Sequence, residues 1–333
     1  MSEYPAVFRD FASYQLSIRN RSKGTVKQYL SDLSMFFKYI ITTRSGKNPE
    51  RDDEFEQADV MSVDLEMCRS IRTDEIHSFI LYTSMHRGNK PAAMCRKISA
   101  IKTFYKFLTV TKAYFKENPT TNIEPPKTRA ALPKYLTLDE SIDLLNAVSN
   151  DTTSKTQARD FCMITIFLNC GIRLSELCGI NVQDIDSNLR SMRVLGKGSK
   201  ERIVYLNDAC RQAMTDYTAK RNALEKKDKN AYFLSSRGVR ISQRTVEHII
   251  YKYLDMAGLG YRHLSVHKLR HTAATLMYQE GGVDIRVLKD ILGHESLNTT
   301  QIYTHVSNKH MEDAINKNPL AGIKKKQLKK SDE

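Results

Sequence analysis

A chain of 333 residues, 41% of them apolar, has material for about two domains of the usual ~100–200 residues. Its 52 Lys and Arg exceed its 38 Asp and Glu by 14, a cationic excess that a compact body tolerates best against a polyanion, so nucleic acid is the first partner to consider. A membrane span is excluded: the apolar run Phe161 to Leu168 is broken by Thr165 and falls well short of the ~18–20 residues needed.

The opening Met1-Ser2-Glu3-Tyr4-Pro5 lacks the basic, apolar and small-residue parts of a secretory signal, so a cytoplasmic, nucleoid-associated location is expected. From Gly24 to Ile40 the residues Val26, Tyr29, Leu30, Leu33, Phe36, Phe37 and Ile40 step by three and four, which predicts one buried helical face. Residues 4–18, 74–86 and 91–109 repeat the pattern, the last opening with Pro91 at a first-turn position. Together they predict an all-helical domain over residues 1–117. Between its second and third helices, residues 44–72 carry Glu50, Asp52, Asp53, Glu54, Glu56 and Asp59 and read as a polar insertion, a solvated loop without assigned function.

Pro119, Pro125, Pro126 and Pro133 make residues 118–134 an extended connector. Thr137-Leu138-Asp139-Glu140 has capping-box spacing and opens a second domain over 135–323. That domain is mainly helical, broken by Met192 to Leu195 and Arg202 to Leu206 around Gly196-Lys197-Gly198, a predicted β-hairpin with Lys197 on its tight turn. The basic run Lys324 to Lys330 makes residues 324–333 a tail for nonspecific polyanion contact. The fold class is therefore mainly α with a small β-hairpin. Six cysteines, at 68, 95, 162, 170, 178 and 210 and without a Cys-x-x-Cys, read as reduced core residues.

A metal-free phosphodiester transfer needs cationic donors for the nonbridging oxygens, a nucleophile, and an acid for the departing alkoxide. The second domain offers each type. Arg173 lies at a helix junction, after Gly171 and before Ser175; a surface arginine paired with Glu176 is the alternative. His267 and Arg270 stand three apart on one helix face, able to grip one anion or to lie in solvent. His294 precedes Tyr303 by nine residues, and Tyr303 is equally a candidate core aromatic; Lys197 is equally an ordinary hairpin-tip lysine. No Gly-x-x-x-x-Gly-Lys-Ser/Thr loop is present and the second domain has no acidic cluster for two magnesium ions, so neither an ATP-driven motor nor a metal or other cofactor is expected.

Read in order, Gly171-Ile172-Arg173-Leu174-Ser175-Glu176-Leu177, Gly196-Lys197-Gly198-Ser199-Lys200-Glu201-Arg202, His267-Lys268-Leu269-Arg270-His271 and Leu292-Gly293-His294 through Tyr303-Thr304-His305 resemble the tyrosine recombinase, or phage integrase, family. The likeness is to its compact Xer-type members and runs over roughly residues 4–321. It implies that Arg173 and Arg270 clamp the scissile phosphate, with His267 and His294 adding hydrogen bonds. Tyr303 would attack phosphorus to give a 3′-phosphotyrosyl link while Lys197 protonates the departing 5′ oxygen. His267 becomes the candidate acceptor of the phenol proton, and Glu176 takes a supporting role.

The resemblance also implies a helical core-binding domain and a mixed catalytic domain closing as a C-shaped clamp on duplex DNA. Arg96, Lys97, Lys102, Arg240, Arg244 and Lys252 are candidates for backbone phosphates. Residues 311–323 resemble the segment that docks on a neighbouring protomer, implying a homotetramer on two DNA sites, with an activating or partner recombinase left open. The insertion 44–72 has no counterpart in the shortest members. No arm-site-binding domain is expected ahead of the helical bundle, which favours a simple recombinase for integration, excision or dimer resolution. The competing readings are a type IB topoisomerase and a non-cutting architectural DNA-binding protein.

Overall fold

The three-and-four stepping of apolar residues is realised as helix from the start of the chain. α1 (Ala6–Ser17) is followed by α2 (Lys23–Arg44), which begins where the Ser22 hydroxyl accepts the Thr25 N–H at 3.1 Å. Val26, Leu30, Leu33, Phe36, Phe37 and Ile40 of α2 are all buried. The computed structural model describes residues 3–126, 134–196 and 201–293, and the chain divides into two units between residues 130 and 131.

The first unit continues with α3 (Asp52–Glu56), α4 (Leu65–Ser70), α5 (Thr73–Met85) and α6 (Pro91–Lys106), the last passing into a π-helical turn over Phe107–Thr111. Its core is aromatic: Phe104 meets Phe8 and Phe11 edge-on, at centroid separations of 5.5 and 5.3 Å.

The expected solvated loop at 44–72 is instead folded. It forms α3 and α4 and delivers Phe55, Val63, Cys68 and Ile71 to the core, and the Arg87 guanidinium lies 4.8 Å from the Phe55 ring centre. Its acidic residues belong to helix starts: Asp52, Asp53 and Glu54 occupy the first turn of α3, where the helix dipole favours negative charge. Part of the expected connector is also packed, since Thr120 and Ile123 are buried with the first unit; residues 127–133 lie outside the described residues.

The second unit opens with the capping box. Thr137 Oγ1 accepts the Glu140 N–H at 3.2 Å, and Glu140 Oε2 accepts the Thr137 N–H at 2.8 Å, which starts α7 (Leu138–Ser149). α8 (Gln157–Cys170) is the central helix, with ten of its fourteen residues buried. Even its first turn holds a buried ion pair, Arg159 with Asp160 at 2.6 Å, and Arg159 also donates to the Leu234 carbonyl at 2.9 Å.

After α9 (Leu174–Gly179) come β1 (Ser191–Leu195) and β2 (Glu201–Tyr205), the antiparallel hairpin expected from the sequence and the only sheet among the described residues. Leu195 pairs with Glu201, so residues 196–200 connect the strands. α10 (Asp208–Asn222), α11 (Gln243–Met256), α12 (Val266–Gln279) and α13 (Ile285–Leu292) complete the unit. Five of the six cysteines are buried and Cys95 is half-buried, all with free thiols. No helix among the described residues is long and apolar enough to cross a membrane.

Candidate active site

The site begins at the end of α8. Gly171 takes φ +59°, and a Cβ there would stand 2.8 Å from Leu292 Cδ2 and 3.4 Å from Ala273 Cβ. Both the left-handed turn and the lack of space require glycine. The reversal puts Arg173 at the residue before α9, where its side chain is about one-third exposed.

Glu176, on the first turn of α9, is buried and accepts four hydrogen bonds. Oε2 takes the Arg173 N–H at 2.7 Å and Arg202 Nη2 at 2.9 Å; Oε1 takes Arg173 Nη1 at 2.8 Å and Arg202 Nη1 at 2.7 Å. Burial alone would raise its pKa, but the Arg202 fork and the Arg173 donors outweigh that and hold the carboxyl down at about 2. Arg173 Nη2 further donates to the Gly293 carbonyl at 3.2 Å.

Arg270, on the second turn of α12, is buried. Nη1 donates to the Gly171 carbonyl and Nη2 to the Leu292 carbonyl, each at 2.7 Å. These two carbonyls lie at the C-terminal ends of α8 and α13, where helix dipoles are negative, which offsets the cost of burying the guanidinium.

His267 stands one turn earlier on α12 and reaches the surface. Desolvation lowers its pKa, and the positive charges of Arg270, Lys268 and Arg173 lower it further, so its imidazole is neutral at neutral pH. Arg173, His267 and Arg270 line one small cleft of about 140 Å³ with Ile172, Ser265 and Glu247. Arg173 and Arg270, with Arg202 behind Glu176, set three guanidiniums against two carboxylates, Glu176 and Glu247, which leaves a net positive charge beside an opening sized for an anion. Lys197, His294 and Tyr303, with the segment 311–323 and the tail 324–333, lie outside the described residues.

Two residues were not picked out from the sequence: Glu247, on the cleft wall, and Arg202, which completes the Glu176 pair. Arg202 had a signal, since in β2 it points the same way as buried Val204 while Glu201, Ile203 and Tyr205 are exposed. An inward arginine on an alternating strand asks for an inward acid.

The candidate DNA contacts differ in how far the fold already engages them. Lys97 is buried and pairs at 3.3 Å with buried Asp32, which also pairs with Arg96. Arg240 donates to the Cys178 and Ile180 carbonyls at 3.0 and 3.2 Å and to Asn181 Oδ1 at 2.7 Å, bracing the loop after α9. Lys252 pairs with Asp151 at 2.6 Å. Arg244 is exposed at the start of α11, and Lys102 is half-buried on α6.

Residues 134–310 match the model of the phage integrase family. Tyrosine recombinase XerC of Caldanaerobacter subterraneus subsp. tengcongensis is 41% identical over 319 residues, covering 96% of this chain and 88% of that protein. Tyrosine recombinase XerC of Corynebacterium glutamicum is 33% identical over 318 residues, 95% and 92% of the two chains. Among solved structures, the XerH site-specific recombinase bound to palindromic difH substrate, a post-cleavage complex, gives a TM-score of 0.68 at 20% identity over 93% of this chain and 94% of that one. The Tn1549 transposon integrase in complex with transposon right end DNA gives 0.64 at 17% identity over 93% and 98%. At these identities the structural likeness is one of fold. The chain belongs to the phage integrase family and is a site-specific tyrosine recombinase.

Proposed function

We propose that this recombinase cuts and rejoins duplex DNA through a covalent 3′-phosphotyrosyl link at Tyr303. The observation that supports it most is the shared cleft of Arg173, Arg270 and His267, which brings two stretches of sequence about a hundred positions apart onto one anion-sized opening. Two guanidiniums set before the reaction, one of them braced by helix ends, meet the charge that develops on the nonbridging oxygens as phosphorus becomes pentacoordinate; each such donor is worth ~10²–10³ in rate.

Tyr303 Oη forms the bond to phosphorus and the bond to O5′ breaks. Its phenol, with an ordinary pKa near ~10, must lose a proton at neutral pH, and a neutral His267 has the lone pair to accept one. Lys197 gives a proton to O5′, and His294 adds a hydrogen bond to the phosphate. The phosphodiester's energy stays in the phosphotyrosyl link, so a free 5′ hydroxyl reverses the step on the same or a second strand.

Relatives of this fold are solved on DNA, among them a λ integrase tetramer bound to a Holliday junction, which supports double-stranded DNA as partner and a homotetramer; residues 311–323 are the segment we assign to its contacts on the family resemblance alone. The full-length similarity to XerC proteins supports dimer resolution over integration. A nicked suicide duplex carrying the site recovered by selecting bound genomic fragments tests the chemistry. The intact protein should be trapped as a covalent adduct and Tyr303→Phe should not; an adduct at undiminished yield in Tyr303→Phe would overturn the nucleophile assignment.

A further inference from the structure

Arg202 lies outside the set that would touch phosphate, yet it meets both groups that hold Arg173. Its side chain is 15% exposed and projects from β2, and its fork places one nitrogen on each oxygen of Glu176, at 2.7 and 2.9 Å. Each of those oxygens also serves Arg173. The stem of Arg202 fills the space beside Gly293, where a Cβ would come within 3.0 Å of Cδ, and the Gly293 carbonyl accepts the other arm of Arg173.

We propose that Arg202 is a positioning residue for strand cleavage, sharing the charge of Glu176 so that the Arg173 guanidinium stays aimed at the phosphate instead of closing on the carboxylate. The inference rests on the recombinase reading above. A buried carboxylate with a single guanidinium neighbour forms a neutral two-point pair, and the N–H groups spent on it are the ones a phosphate needs. With two guanidiniums on one carboxylate the group keeps a net charge of +1. On this side of Glu176, Arg193 pairs with Asp184 at 3.0 Å, and the one carboxylate left over, Glu201 at 3.7 Å from Arg193, is exposed to solvent that screens it.

The test uses the full chain and the nicked suicide duplex, measuring the single-turnover rate of adduct formation at saturating protein and, separately, DNA affinity. Arg202→Gln should slow the adduct by about 10–100-fold with affinity held within about threefold, the usual cost of losing an orienting partner. Arg202→Lys, which keeps the charge but cannot bridge both oxygens, should fall between the two. Adding Glu176→Gln to Arg202→Gln removes the competing carboxylate and should recover at least about threefold of the lost rate, a gain that a purely structural defect has no means to produce.

A rate within twofold of the parent for Arg202→Gln, or a double variant no faster than the single one, overturns the proposal. If Arg202→Gln fails to fold, Arg202→Lys decides: a parental rate overturns it, and a rate at least about threefold slower at parental affinity supports it. A parent protein that forms no adduct would overturn the recombinase reading itself and this inference with it, an outcome distinct from a variant that matches an active parent.

Discussion

Gly171 and Arg270, 99 positions apart in the chain, are joined by a hydrogen bond of 2.7 Å from the guanidinium to the glycine carbonyl. The left-handed turn that ends α8 and the cation that faces the cleft are therefore one unit, and the Arg173 backbone follows two residues later.

Gly171→Ala should destabilise the protein by about 2–4 kcal/mol, combining a left-handed alanine with a methyl forced to within 2.8 Å of Leu292. Denaturant melts measure the loss, and adduct formation should fall further than stability does. Arg270→Ala should cost about 2–4 kcal/mol as well, since the Gly171 and Leu292 carbonyls both lose a charged donor. A stability near the parent's in either variant would contradict this account of the junction.

Acid should weaken the fold in two separable stages. His271 is held down at about 4, first by burial and then by His267, Lys268 and Arg270. Its folded value lies below the ordinary 6.5, so the stability it contributes is complete above pH 6.5 and is lost as pH falls toward 4. Glu176, held at about 2 against an ordinary 4.5, contributes fully above pH 4.5 and loses its share as pH falls toward 2. Unfolding free energies measured from pH 7 to 3 should show His271→Asn flattening the first stage and Glu176→Gln the second.

Asp32→Ala should cost about 3–5 kcal/mol, because it strands the buried Lys97 ammonium. Lys97→Met should stay within about 1 kcal/mol of the parent in a melt, and it should leave DNA affinity within about twofold. A tenfold drop in affinity for Lys97→Met would return that lysine to the DNA surface.

Phe55→Ala should cost about 3–5 kcal/mol despite its place in a run of acidic residues, since Phe55 is 3% exposed and packs under Arg87. A melt within about 0.5 kcal/mol of the parent would restore a solvated loop at 44–72.

Features carried by neighbours in sequence were legible before any coordinates. The face of α2 follows from a repeat of three and four, and the Thr137 and Glu140 cap from a spacing of three. Arg173, Glu176, His267 and Arg270 were legible because each lies in a short motif whose spacing is local. Arg202 escaped, and Lys97 was read as a DNA contact, for the opposite reason: their acids, Glu176 and Asp32, are 26 and 65 positions away, and no period announces a long-range charge pair. Residues 44–72 misled because four core side chains spread over seventeen positions are too sparse for a helical rhythm, while acidic residues at helix starts look like solvation.

α8 is enclosed along its length, pinned at its entry where Arg159 donates to the Leu234 carbonyl and ending in the turn that presents Arg173. A rod clamped in this way cannot tilt or fray without breaking the buried, charged hydrogen bond from Arg159 to the Leu234 carbonyl. Catalytic competence and the integrity of the second unit should accordingly disappear at the same temperature, leaving no warm interval in which an intact body carries a loosened centre.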